Sequence, residues 1–105
     1  MVAIEKLVRN KIPEIIRAKG EQCVTRVAKN KREALVFTLK KLTEETDEFL
    51  AADKAHMLEE LGDMTESIFG LAQLFGFTRD ELLDAAAKKR EERGDFSGLI
   101  IMKIQ

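Results

Sequence analysis

The chain has 105 residues, of which 35% are charged and 45% apolar, and 18 basic residues nearly balance 19 acidic ones. This balance is typical of one globular domain and excludes a disordered chain. A net charge of −1 argues against general attraction to nucleic acid or to an anionic membrane. No apolar run approaches the roughly 20 residues of a membrane span, and the N-terminus lacks a signal core. The single cysteine, Cys23, allows no internal disulfide, so we expect a cytoplasmic protein in which Cys23 acts as a small hydrophobe.

The first third of the chain predicts a short helix followed by an extended segment. Asn10 is a candidate N-cap, with Pro13 in the first turn of the helix and Gly20 just past its end. Residues 21–28, EQCVTRVA, are rich in β-branched side chains, which favour extended backbone.

Three longer helices follow, each with a polar residue suited to its start. Asn30 with Glu33 and Thr78 with Glu81 are capping-box patterns, and Asp53 is a candidate N-cap between them. Leucine, methionine and phenylalanine recur along these segments at helical spacing. The predicted helices end near Ala51, Gly76 and Gly94.

These elements predict a mainly α fold, with residues 1–105 forming one helical domain. The second and third helices are separated by a short turn, so we expect an antiparallel hairpin. The hairpin has two apolar faces and little else to cover them, so two chains are expected to pair into a four-helix bundle, as a homodimer or homotetramer. The apolar tail LIIMKI, residues 99–104, predicts a short β-strand that pairs with residues 23–27.

Four acidic residues of the hairpin stand in two matched pairs. Glu45 with Glu48, and Glu60 with Asp63, are each three residues apart, so each pair shares one helix face. One member of each pair lies beside the apolar stripe of its helix. A carboxylate there is costly unless it is paired or bound to a metal ion.

The pairs are also symmetric about position 54, the middle of the predicted turn. A hairpin folded there brings both pairs level, and helix axes about 8–10 Å apart let the four carboxylates converge. Gathered carboxylates repel one another, and a divalent cation removes the repulsion. Oxygen-only ligands suit Mg²⁺, Mn²⁺ or Ca²⁺ rather than zinc.

Two other interpretations of the acidic residues stay open at this point. Most charged runs on helices are simply solvated surface. A di-iron bundle would need a Glu-x-x-His motif on two helices, and the one histidine, His56, does not follow such a glutamate. His56 is therefore better explained as a first-turn helix residue.

The acidic segments EETDE and ELGD resemble the paired metal-binding motif of the MazG-like all-α nucleoside triphosphate pyrophosphohydrolases. The flanking segments KLVRNKIPEII and KKREERGDF resemble the phosphoribosyl-ATP pyrophosphohydrolase-like branch of that superfamily. Eleven residues separate Glu48 from Glu60, which is at the short end for the superfamily. The resemblance spans nearly the whole chain.

This resemblance implies an Mg²⁺-dependent enzyme, with Mn²⁺ as an alternative, that cleaves a nucleotide between its α and β phosphates. It implies that Glu45, Glu48, Glu60 and Asp63 are metal ligands, with Glu45 also counted as catalytic. Glu44 would be an extra ligand or would orient the attacking water. It further implies a dimer with active sites near the subunit interface. The nucleotide itself is not identified.

Basic residues are needed to hold the phosphates, because the chain has no P-loop motif. The candidates lie in the two flanking segments, where each is also explained as surface charge: Lys6, Arg9, Lys11, Lys89 and Arg93. The alternative to an enzyme is a non-catalytic helical module, regulatory or partner-binding, with a residual cation site. A nucleic-acid binder is disfavoured, because an acidic groove would face the phosphate backbone.

Overall fold

The computed structural model describes residues 4–104 and shows a mainly α chain, as predicted. None of the helices it describes is both long and apolar enough to cross a lipid bilayer. The helices are α1 (Ile12–Ala18), α2 (Lys31–Ala51), α3 (Lys54–Leu74) and α4 (Arg79–Arg93).

Helices α2 and α3 form the predicted antiparallel hairpin. Asn30 caps α2, and its side chain accepts a hydrogen bond from the Glu33 N–H at 2.9 Å. Only Ala52 and Asp53 separate the two helices, and the Asp53 side chain caps α3 by accepting the N–H of His56 at 3.1 Å. A two-residue connection of this kind forces the helices to turn back on each other at once.

The pairing of the two helices is symmetric about position 54. Thr38 of α2 and Gly70 of α3 are equally far from that position, and they meet in the structure. A Cβ atom on Gly70 would lie 4.0 Å from the Thr38 methyl group, and Thr38 is only 6% exposed. This is an ordinary van der Waals distance, so the two helices lie close together at this level and an alanine would also fit at position 70.

Helix α4 packs against α3 and has well-formed ends. Thr78 and Glu81 form the predicted capping box, and Gly94 ends the helix at φ 83°, a conformation that favours glycine. Arg79 ties the start of α4 to α3, because its guanidinium bonds Glu66 at 2.8 Å and lies 4.6 Å from the centre of the Phe69 ring.

The segment before α1, residues 4–11, is hereafter the N-terminal strap. It has no helix or strand up to Arg9, and side-chain ion pairs fix it to the remainder of the chain. Arg26 bonds Glu5 of the strap at 2.8 Å and Glu33 of α2 at 2.5 Å. Helix α1 packs directly on no other helix described. A cavity of about 400 Å³ separates α1 from α2 and is lined by Ile12, Ile16, Cys23, Ala34 and Phe37.

Two predicted cap interactions are wrong. The N-cap of α1 is Lys11, not Asn10, and it makes no side-chain cap bond. The reason is a backbone turn in which the Ile12 N–H bonds the Arg9 carbonyl at 3.0 Å, so the chain enters the helix without a capping side chain. At α2 the capping box is incomplete, since Glu33 accepts the N–H of Lys29 rather than that of Asn30.

The predicted C-terminal strand is also wrong. Residues 4–104 contain no β-strand, and neither 99–104 nor 23–27 pairs with another segment. Val24 is fully exposed, and the apolar residues of the tail are between 74% and 94% exposed. An isolated two-stranded pair is marginal in water without a surface to pack on, and the exposed tail packs on none of the described helices.

The single chain buries very little apolar surface. Among the described residues, the only two buried side chains are polar, Thr38 and Glu45, and no apolar side chain is buried. The chain exposes 9621 Å², against about 6000 Å² for a compact monomer of this size. Its radius of gyration is 17.3 Å, against about 13 Å expected. The apolar faces of the hairpin are therefore left uncovered by the chain itself.

We expect Asn30→Ala to lower the free energy of unfolding by about 1 kcal/mol, because it removes the side-chain cap of α2. Asn10→Ala is the matched control, and it should cost far less because Asn10 caps no helix. Urea unfolding followed by circular dichroism measures both. Equal costs for the two variants would contradict the assignment of the cap.

Acid should release the strap from Arg26. Hydrogen bonds from Arg26 lower the pKa of Glu5 and of Glu33 below their ordinary value of 4.5. Because these pKa values are lower in the folded protein, the ionised carboxylates stabilise the folded state at pH values above 4.5. This stabilisation is lost as the pH falls through the lowered pKa values.

The Arg26 Nε–H resonance in NMR spectra should therefore shift as the pH is lowered from neutral to below 4.5, the ordinary pKa of a glutamate. Glu5→Gln should show part of that shift already at neutral pH, whereas Glu21→Gln, which removes an exposed charge five positions from Arg26 in the sequence, should not. An Arg26 resonance that is unchanged over this range would contradict the ion pairs.

Candidate metal centre

The four predicted metal ligands come together in the hairpin. Glu45 and Glu48 of α2 and Glu60 and Asp63 of α3 each offer a carboxylate oxygen, and these four oxygens lie within 4.8 Å of one another. The three-residue spacing places each pair on one helix face, and the symmetry about position 54 brings the faces level. The convergence that the sequence predicts is confirmed.

Glu45 lies deepest in the cluster. It is only 4% exposed, on the side of α2 that faces α3. Burial raises the pKa of Glu45 above its ordinary value, Lys41 opposes that rise, and the charge of Asp63 adds to it. The cluster therefore holds a carboxylate whose negative charge is disfavoured by its own surroundings, and a cation would stabilise that charge.

Glu60 supplies a second sign that the cluster lacks a positive partner. Its Oε2 atom is buried, and it accepts no hydrogen bond from any residue between 4 and 104. A buried oxygen without a donor is costly, by about 1–3 kcal/mol for an ordinary polar group and more for a charged one. An oxygen-preferring cation at the centre of the cluster would satisfy it, so the residues present fit Mg²⁺ or Mn²⁺.

Two side chains of the protein already neutralise part of the cluster. Lys41 Nζ lies 3.3 Å from Glu45 and 3.8 Å from Glu44, and Arg9 of the strap lies 2.6 Å from Asp63. Lys41 was missed in the sequence, although its three- and four-residue spacing to the two glutamates is the signal that could have found it. The contact between Arg9 and Asp63 spans 54 positions, and no local pattern predicts it.

The other predicted site residues lie at different distances from the cluster. Glu44 is outside the group of four, beside a gap of about 20 Å³ where the strap, with Lys6, crosses Lys40 and Lys41. Lys11 is the N-cap of α1, and Lys89 and Arg93 lie on α4. Within the described part of the chain, the side chains of these last three make no ion pair.

His56 and Cys23 are not part of the metal centre. The His56 ring lies 2.6 Å from Asp53 at the start of α3, in agreement with a first-turn helix residue. The Cys23 thiol lies 3.8 Å from the Pro13 carbonyl oxygen, beside the cavity under α1. Both residues therefore contribute to local structure.

The geometry of the cluster is the observation on which a functional assignment has to rest. Comparison with protein-family models, with curated proteins and with solved structures gives no match. The carboxylates, the nearby basic residues and the uncovered apolar faces are the features of the chain that indicate what it can do chemically.

Proposed function

We propose that this chain is an Mg²⁺-dependent nucleotide pyrophosphohydrolase of the MazG-like kind, cytoplasmic, with Mn²⁺ as an alternative ion. It would cleave a nucleoside triphosphate or a related nucleotide between the α and β phosphates, giving a monophosphate and pyrophosphate. The observation that carries the proposal is the cluster of four carboxylates in one helical hairpin. The order of the acidic and basic segments along the chain supports it.

Different acidic residues of the chain would hold the ion and orient the attacking water. Glu45, Glu48, Glu60 and Asp63 would hold the ion, which when bound neutralises phosphate charge and lowers the pKa of water. Glu44 lies at the edge of the cluster, free of the four-oxygen group, and would orient the attacking water. Phosphoryl chemistry depends chiefly on such positioning and electrostatics.

The phosphates would be held by basic side chains around the cluster. Arg9 is already beside it, and Lys11 belongs to the same strap. Arg9 can bind a phosphate through two parallel hydrogen bonds, which gives orientation as well as affinity. Lys89 and Arg93 of α4 are the other proposed phosphate ligands.

We also propose that the chain works as a homodimer or homotetramer with a four-helix bundle at its centre. Leu61 and Ile68 of α3 and Phe75, the C-cap of that helix, follow one another at seven-residue intervals and are 40–48% exposed. A line of apolar residues at that interval is the usual seam between packed helices. The excess of exposed surface is more than a standard protein interface of about 1600 Å² would bury.

A non-catalytic helical module is the second candidate function. The observation that favours it is that Arg9 and Lys41 already pair with Asp63 and Glu45. Two of the four carboxylates are thus balanced by the protein itself, as in a structural acidic face. Such a module would bind a cation weakly and would turn over no nucleotide.

We expect pyrophosphate release from at least one member of a panel of canonical and modified nucleoside triphosphates and phosphoribosyl-ATP, in Mg²⁺ but not in chelator. Glu60→Gln and Asp63→Asn should lower kcat by at least about a hundredfold, because each removes a charge that holds the ion. Chromatography should identify a nucleoside monophosphate as the second product.

Glu59→Gln is the matched control for Glu60→Gln, because Glu59 is exposed on the adjacent face of α3 and lies outside the cluster. It should turn over like the parent protein. If no nucleotide is cleaved while the parent protein still binds Mn²⁺ in calorimetry, the module is the correct function.

The oligomer can be tested separately by sedimentation equilibrium. We expect a mass of two or four chains, and Ile68→Glu should weaken the association by at least about tenfold, because an unpaired charge in an apolar seam costs more than about 1.4 kcal/mol. Gln73→Glu adds the same charge at an exposed position off the seam and should have little effect. A parent protein that sediments as a single chain would contradict the bundle.

A further inference from the structure

Arg9 pairs with a carboxylate that the proposed cation would also use. Its Nη2 atom lies 2.6 Å from Asp63 Oδ1, and Asp63 is one of the four converging carboxylates. Asp63 keeps further lone pairs for a metal ion, but the positive charge of the guanidinium repels a cation at the same carboxylate and already balances the charge that the cation would balance. The guanidinium and a divalent cation therefore compete for Asp63.

The strap can release Arg9 without disturbing the hairpin. The two side chains are 56% and 38% exposed, and an exposed ion pair is weak. No backbone hydrogen bond joins the described strap residues to α2 or α3, and Ile12 N–H bonds only the carbonyl of Arg9 itself. Movement of Arg9 would thus break one ion pair and leave the helices intact.

Lys41 is different, although it also neutralises the cluster. It lies four residues before Glu45 on the same helix, so the helix keeps the two side chains within reach of each other. Arg9 comes from a separate segment, 54 positions from Asp63. Of the two cations, Arg9 is the one that can exchange its partner.

We infer that Arg9 leaves Asp63 when a divalent cation binds and then takes a phosphate of the substrate. The exchange rests on the proposed function. It gives Arg9 one partner when no cation is bound, the Asp63 carboxylate, and another when cation and substrate are bound, a phosphate. The guanidinium fork suits a phosphate as well as it suits a carboxylate. Because each ligand relieves the competition that the other faces, cation and polyphosphate favour each other's binding.

The first half of the test uses Mn²⁺ alone, measured by calorimetry with no nucleotide present. Arg9→Ala should bind Mn²⁺ about two- to fivefold more tightly than the parent protein, since that factor is what an exposed ion pair is worth. Lys19→Ala removes the same charge from the exposed end of α1 and should leave the Mn²⁺ affinity unchanged.

The second half uses the preformed complex of Mn²⁺ with inorganic tripolyphosphate, which carries a phosphate chain without a base. Arg9→Ala should bind this complex about tenfold more weakly, because a charge-assisted bond to phosphate is lost. Arg9→Lys keeps the charge without the fork and should fall between Arg9→Ala and the parent protein. Opposite changes for the two ligands are the signature of an exchange.

Other results would overturn it in distinguishable ways. If the Mn²⁺ affinity of Arg9→Ala is unchanged, Arg9 is an ordinary phosphate ligand. If the Mn²⁺ affinity is weaker than that of the parent protein, Arg9 positions Asp63 for the ion. An unchanged affinity for the tripolyphosphate complex would equally overturn the exchange, with the metal centre intact. No Mn²⁺ binding by either protein would overturn the proposed function itself.

Discussion

The repulsion among four carboxylates held in one hairpin is the constraint on which the rest of the structure depends. Glu45, Glu48, Glu60 and Asp63 have oxygens within 4.8 Å of one another, and such a group is unfavourable unless positive charge lies among it. Lys41 and Arg9 supply part of that charge. The buried Glu60 oxygen has no donor among residues 4–104, so the compensation is incomplete. A bound divalent cation would remove the imbalance that is left.

This chain buries polar side chains and exposes apolar ones, which is the reverse of an ordinary domain. Its two buried side chains in the described range are Thr38 and Glu45, while leucines and isoleucines of the same helices are exposed. Between α2 and α3 lie therefore the close contact at Thr38 and the acidic cluster. Apolar side chains that would normally stabilise a monomer are exposed on the outside of the hairpin, and the proposed association of two chains would bury them.

Local rules predicted the hairpin and its cluster well. The caps at Asn30 and Asp53 and the symmetry about position 54 each follow from spacings of a few residues, which the helix geometry converts directly into positions in space. The failures came where no such geometry exists. The tail, residues 99–104, has the composition of a strand but pairs with no segment of residues 4–104, and a backbone turn rather than the Asn10 side chain starts α1. The contact of Arg9 with Asp63 joins segments that only the complete fold brings together.

The distance of the cluster from the turn explains why this site is assembled by one chain. The four carboxylates lie six to nine positions from position 54, which is about 9–14 Å along the helices. Over so short a distance, the two-residue connection fixes the register before any subunit contact forms. The four carboxylates therefore converge within one chain, and the proposed association would cover the apolar faces of the hairpin. The proposed cation binding and the proposed oligomer are therefore separable properties, because the first depends on the acidic face of the hairpin and the second on its apolar seam.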